Sequence, residues 1–210
     1  LFASFGVKAT FSKYAKVTNH SGLTGSMAAR KILDMNGLYH IKVERVSGDL
    51  TDHYDPKADV IRLSESVFDS ASVAAVGVAA HEAGHAVQHA KNYAPIKVRN
   101  ALVPIVNIST SLSMPLFVIG LILSMTGLAL LGVILFSTAL LFQIVTLPVE
   151  FNASRRAVKI LESTGMLNEE EVSGTKKVLK AAALTYVAGA AASILQLLRL
   201  IAIGGRRRGE

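Results

Sequence analysis

A chain of 210 residues and 22.3 kDa that is 51% hydrophobic and only 18% charged is too apolar for a soluble domain of its size. The mean hydropathy of +0.43 comes from blocks, since no Asp, Glu, Lys, Arg or His occurs from Ala101 to Val149. The net charge of +7 does not mark a nucleic-acid binder: the cations are not interleaved with aromatics on a soluble patch but flank the apolar blocks.

Those flanking cations are Lys97 and Arg99, then Arg155, Arg156 and Lys159, then Lys176, Lys177 and Lys180, the arrangement of a cytoplasmic membrane face. With no cysteine, any metal or catalytic chemistry must come from His, Asp, Glu, Ser or water. The redox compartment stays open, and localisation has to be read from charge asymmetry.

Leu1 to Val7 is apolar but too short to span a membrane, and is expected to be the stub of something longer. Residues 22–36 predict an amphipathic helix with Thr24 as N-cap, Ala28, Ala29, Ile32 and Leu33 on one face, and Asn36-Gly37 as the stop. Ile41 to Val46 alternates and predicts a strand, as does Ala58 to Leu63. Between them, Asp52-His53-Tyr54-Asp55-Pro56 reads as a turn-rich loop. From Ser72 an alanine-rich stretch without proline predicts one helix over about 72–91.

The charge-free block is about twice the ~20 residues that cross a bilayer. Two spans are therefore expected, at 101–123 and 128–148, joined through Ser124-Met125-Thr126-Gly127 as a tight hairpin with both ends on one side. Glu150 to Glu162 should continue the second span as a polar helix, with a break at Gly165. Glu169, Glu170 and Glu171 read as a solvated helix N-terminus. Residues 181–198 form a third charge-free stretch, at the lower edge of a spanning length. A third crossing is the expected reading of this stretch, against which the tail Arg206-Arg207-Arg208 counts, since a crossing would place it opposite the other basic flanks.

His81-Glu82-Ala83-Gly84-His85 fits HExxH on the predicted helix. Residues four apart share a helix face, so both imidazoles can reach one Zn²⁺, and Glu82 points to where an activated water would lie. A catalytic zinc usually has a third protein ligand. His89, one turn on, cannot join the same tetrahedral ion from a straight helix, and Lys91 stands where HExxHxxGxxH needs its last His. Glu150 is the better candidate, because the hairpin returns it to the side of the His81/His85 helix. The other reading of Glu150 is an interfacial carboxylate paired with Arg155 or Arg156.

HExxH, a membrane hairpin and then Glu150-Phe151-Asn152-Ala153 resemble the HtpX-like membrane metallopeptidases. Lys13 to Val17, Leu50 to Pro56, Ala74 to His89, Thr146 to Arg156 and Ala182 to Ala188 resemble the YugP-like neutral zinc metallopeptidases of bacteria, and that likeness covers nearly the whole chain. The resemblance implies a multi-pass membrane zinc peptidase with His81, His85 and Glu150 as ligands of one Zn²⁺ and Glu82 as the catalytic glutamate. Two departures matter. Ser154 replaces the Asp of the HtpX-like pattern, so the carboxylate that orients a ligand histidine is expected from Asp52 or Asp55. The family's apolar span before the Lys-Tyr-x-Lys-Val segment is also missing or cut short.

The expected fold is mainly α with a small β-sheet: a zincin-like catalytic domain joined to a transmembrane helical hairpin and a further apolar C-terminal helix. Its expected parts are 1–100, carrying the HExxH helix; 101–149, the hairpin; 150–180, with the third zinc ligand; and 181–210, an apolar helix and basic tail. The expected reaction is peptide hydrolysis by a zinc-activated water with Glu82 as general base. The partners expected are a membrane-associated polypeptide substrate and the lipid bilayer, with no nucleic acid. The expected location is the cell membrane, multi-pass, with a cytoplasmic catalytic side and a role in quality control or processing.

Tyr54, His53 and Arg156 are oxyanion-donor candidates by residue type alone, and the strand Asp59 to Leu63 is a candidate to pair with an extended substrate. The rival function is a non-catalytic membrane scaffold stapled by zinc, which would close the fourth coordination position and need no base between its histidines. A metal transporter is a third reading, weakened because neither member of the hairpin holds an ionisable residue.

Overall fold

The structure, a computed structural model, describes residues 2–206, so most of the basic tail lies outside the described residues. The protein is 73% helical with one three-stranded sheet, and it divides into two compact units. One comprises residues 1–93 and 149–185; the other comprises 94–148 and 186–210.

In the first unit, α1 (Phe2–Tyr14) is followed by α2 (Gly25–Met35). The Thr24 hydroxyl accepts from the Met27 amide, capping α2 where the sequence predicts it. Ala28, Ala29, Ile32 and Leu33 are fully buried, and Gly37 takes the left-handed φ of +73° that ends the helix region.

The sheet has the order β1-β3-β2, built from β1 (Lys42–Val46), β2 (His53–Asp55) and β3 (Val60–Ser64). β1 runs parallel to β3 and β2 antiparallel to it, with Tyr54 opposite Ile61. Two expectations are corrected here. His53-Tyr54-Asp55 is a strand, because Tyr54 packs against the core and only Pro56 to Asp59 turns; Asp55 Oδ1 accepts from the Lys57 and Ala58 amides there. β3 is the central strand, paired on both sides, so it has no free edge for a substrate backbone.

The short α3 (Glu65–Phe68) leads to α4 (Val73–Ala90), whose first turn is capped by Ser72 Oγ accepting from the Ala75 amide at 3.2 Å. Its small side chains let it be enclosed: Ala75, Val76, Ala79, Ala80, Ala83 and Ala86 are all fully buried. The unit is completed by the last part of α6 (Thr126–Ser163) and the first part of α7 (Glu169–Arg206). The acidic start of α7 is not wholly solvated. Glu171 is buried and forms a capping box with Asn168, and its carboxylate also accepts from the His20 amide at 2.6 Å.

The second unit holds α5 (Ala94–Ile122), the first part of α6 and the last part of α7. These three helices are long and apolar enough to cross a membrane. Only 28%, 11% and 11% of their most apolar windows is buried, so their apolar side chains mostly face outward. Glycine sets the approach of α5 to α6: a Cβ on Gly132 would fall 2.6 Å from the Phe117 nitrogen and 2.7 Å from the Ser113 oxygen. Pro104 and Pro115 in α5 and Pro148 in α6 do not interrupt their helices.

Candidate metal centre

α4 carries His81 and His85 one turn apart, and α6 carries Glu150 just after its apolar stretch. The two helices meet closely because of Gly84: a Cβ there would lie 2.8 Å from the Ala153 carbonyl oxygen. That approach brings His81, His85 and Glu150 together, with one ligand atom from each lying within 4.8 Å of the others.

The atoms form a triangle. His81 Nε2 lies 3.1 Å from His85 Nε2 and 3.2 Å from Glu150 Oε2, and His85 Nε2 lies 3.5 Å from the same oxygen. Ligand bonds of about 2.0 to 2.1 Å in tetrahedral geometry imply edges of about 3.3 to 3.4 Å, so the triangle has the size of one face of a zinc coordination shell. Glu150 is buried, while the His81 and His85 side chains keep 15% and 12% exposure.

The orientation of His85 follows from its neighbours. Gln88 is fully buried, and its Nε2 donates to the Val149 carbonyl at 2.8 Å and to Asn152 Oδ1 at 3.0 Å. This turns Gln88 Oε1 toward His85 Nδ1, 3.0 Å away, so Nδ1 must donate and the neutral ring presents a lone pair at Nε2. Arg156 Nε in turn donates to Asn152 Oδ1. On His81, Ser154 Oγ meets Nδ1 at 3.1 Å. The donor set, two imidazoles oriented from behind and one carboxylate, fits zinc.

Electrostatics agree with a cation site. Burial pulls the His85 imidazole down, but the Glu150 hydrogen bond and the charges of Glu82 and Glu150 outweigh it and hold its pKa above the ordinary value. Glu82, beside His81, is 9% exposed, and among the described residues no hydrogen bond or ion pair occupies its carboxylate. Asp52 is near enough for its charge to be felt. Burial raises the Asp52 pKa against the hydrogen bonds from Ser64, and the charge of Glu82 raises it further.

The expected orienting carboxylate is corrected. Asp52 binds the Ser64 amide and hydroxyl, and Asp55 binds its own turn and Arg62, so neither orients a ligand histidine. Ser154 fills the place itself, because its hydroxyl is long enough where α6 lies so near α4. Of the oxyanion candidates, His53 Nδ1 meets the Thr51 carbonyl, Tyr54 donates to Asp59 at 3.5 Å, and Arg156 holds Asn152. His89 lies outside the cluster, exposed and edge-on to Tyr54. Sequence reasoning passed over Gln88 and Asn152; the available signal was an amide one turn beyond His85 on a helix otherwise lined with alanine.

A family described as "Putative neutral zinc metallopeptidase" matches residues 1–205. The chain belongs to this family. It is also 50% identical over 209 residues to a Bacillus subtilis (strain 168) protein named "Putative membrane protease YugP", covering 100% of this chain and 93% of that one. No solved structure matches. In this neutral zinc metallopeptidase family member, the residues that could hold a metal ion, His81, His85 and Glu150, come from α4 and α6, with the buried Glu82 beside them.

Proposed function

We propose that the protein is a membrane-embedded zinc endopeptidase in which His81, His85 and Glu150 hold one zinc ion and Glu82 is the general base. The observation that supports it most is the number of donors. Among the described residues, three His, Cys, Asp or Glu ligand atoms converge and no fourth joins them, which suits an open catalytic site better than a closed structural staple. The unpaired, buried carboxylate of Glu82 beside this triangle is what a base needs and a scaffold does not.

Zinc bound there supplies Lewis acidity, lowering the pKa of a water toward about 7 and polarising the scissile carbonyl. The chain supplies the proton handling and the orientation. Glu82 Oε accepts the proton of the attacking water and passes it to the leaving amine nitrogen. Gln88 and Ser154 hold the imidazoles so that both Nε2 atoms face the same point, and burial of Glu150 keeps competing water from its carboxylate. An extended substrate can add to an outer edge of the sheet, and β2 is the outer strand whose Tyr54 reaches α4.

The three helices long and apolar enough to cross a membrane support the reading of a membrane protease, for which we propose membrane-derived polypeptides as substrates and quality control or processing as the role. The basic flanks support a cytoplasmic catalytic side. The test is hydrolysis of unfolded and membrane-derived polypeptides by purified protein and Glu82→Gln. The variant is expected to keep its zinc and lose about 10² or more in kcat. Equal cleavage by both would overturn the assignment.

A further inference from the structure

Behind the metal triangle, α6 and α7 enclose a groove of about 360 Å³, within the size range of small-molecule sites. Its floor is apolar, formed by Phe151, Val158, Leu179 and Ala183. Its rim is basic: Arg155, Lys159 and Lys180 line it, and among the described residues none of the three has an acidic partner within ion-pair distance. Glu162 at the far end is already engaged by Lys176 at 4.0 Å. We propose that this groove binds an anionic phospholipid, with an acyl chain along the apolar floor and the phosphate between Lys159, Lys180 and Arg155.

Two features select this occupant. The first is position along the helices. Phe151 lies two positions past Val149, where the charge-free run of α6 ends, and Ala183 lies just inside the charge-free run 181–198, so one end of the groove lies where both helices become apolar. The other end, at Glu162, is about 16 Å further along α6. A groove apolar toward the bilayer and cationic at headgroup level matches a phospholipid along its length, and juxtamembrane Lys and Arg are attracted to anionic headgroups.

The second feature separates lipid from peptide substrate. Ser154 joins the groove to the candidate metal centre: its hydroxyl meets His81 at Nδ1, the nitrogen turned away from the triangle. A peptide engaged by Glu82 and the metal would lie on the Nε2 side. A lipid in the groove instead abuts the residue that orients His81, and so can bias the centre without occupying it.

The proposal rests on the bilayer reading of α6 and α7, not on hydrolysis. Retention of the protein in alkali-washed membranes tests that reading separately. The full chain is reconstituted in phosphatidylcholine bilayers with trace spin-labelled phosphatidylglycerol or phosphatidylcholine, and the motionally restricted fraction is measured. Wild type is expected to prefer phosphatidylglycerol, Lys159→Gln/Lys180→Gln to lose that preference by at least about fivefold, and Lys159→Arg/Lys180→Arg to retain it. Lys177→Ala, an exposed cation outside the groove, is expected to change nothing. Equal restriction of both lipids by wild type overturns the proposal, as does an equal loss in Lys177→Ala. So does a glutamine variant that keeps its lipid preference but shows a raised KM for acidic peptides, which would make the groove a substrate subsite.

Discussion

Gln88 decides which nitrogen His85 offers. Its amide is locked by donating to Val149 and Asn152, so its oxygen can only accept, and the proton on His85 is fixed at Nδ1. Gln88→Met preserves the volume and removes both functions. Zinc affinity is expected to fall about 10- to 100-fold, read by competition with a chromogenic chelator, while the orphaned Val149 carbonyl lowers stability by about 1 to 3 kcal/mol. Unchanged affinity would remove Gln88 from the centre. At this scale the histidines were legible because i, i+4 spacing on a helix puts two side chains on one face whatever surrounds it. Gln88 was not, since its role depends on partners 61 and 64 positions away. Ser154 was misjudged for a related reason: residue type suggested that a carboxylate was required, but the spacing between α4 and α6 sets how long the orienting group must be.

Glycine at position 84 is an element-scale device, because it sets how near α6 comes to α4 and hence whether Glu150 reaches the histidines. The atom a Cβ would strike is a backbone oxygen, which cannot rotate away. Gly84→Ala is therefore expected to cost about 1 to 3 kcal/mol in thermal or denaturant unfolding, and to lower zinc content at equal protein more than a distant alanine substitution of equal cost. Gly6→Ala, with nothing near its Cβ position, is the control for the clash and is expected to cost no stability. A second element-scale prediction concerns the start of α7. Glu171→Ala removes the capping box and the link to His20 together, and should lower unfolding free energy by about 1 to 2 kcal/mol, whereas Glu170→Ala on the exposed side should be near neutral. The sequence shows three glutamates in a row with equal helix-start character. Which one is buried depends on the chain from Asn19 to Ser21 passing over the helix end, and no local pattern announces that. The strand at His53 was hidden in the same way: turn-forming residues dominate its neighbourhood, and only pairing with β3 outweighs them.

At the scale of the molecule, a long apolar block separates the two halves of the candidate metal site along the sequence. His81 and His85 are 65 or more positions from Glu150, and what intervenes is mostly α5 and the apolar part of α6, yet all three residues belong to the same compact unit. The long apolar helices were legible from composition, because the chain holds no charged residue from Ala101 to Val149. The direction of insertion rests on the flanking cations, and it is testable without background because the chain has no cysteine. Lys57→Cys places a single thiol on the exposed turn before β3, and Met125→Cys places one at the hairpin tip. With a membrane-impermeant maleimide, Lys57→Cys is expected to label in inside-out vesicles and Met125→Cys in right-side-out vesicles. The reversed pattern would put the metal centre outside the cytoplasm and show that the basic flanks at 97–99, 155–159 and 176–180 serve the lipid-facing groove or the fold rather than orientation. Labelling of both thiols from the same face would instead show that the hairpin enters the bilayer without crossing it.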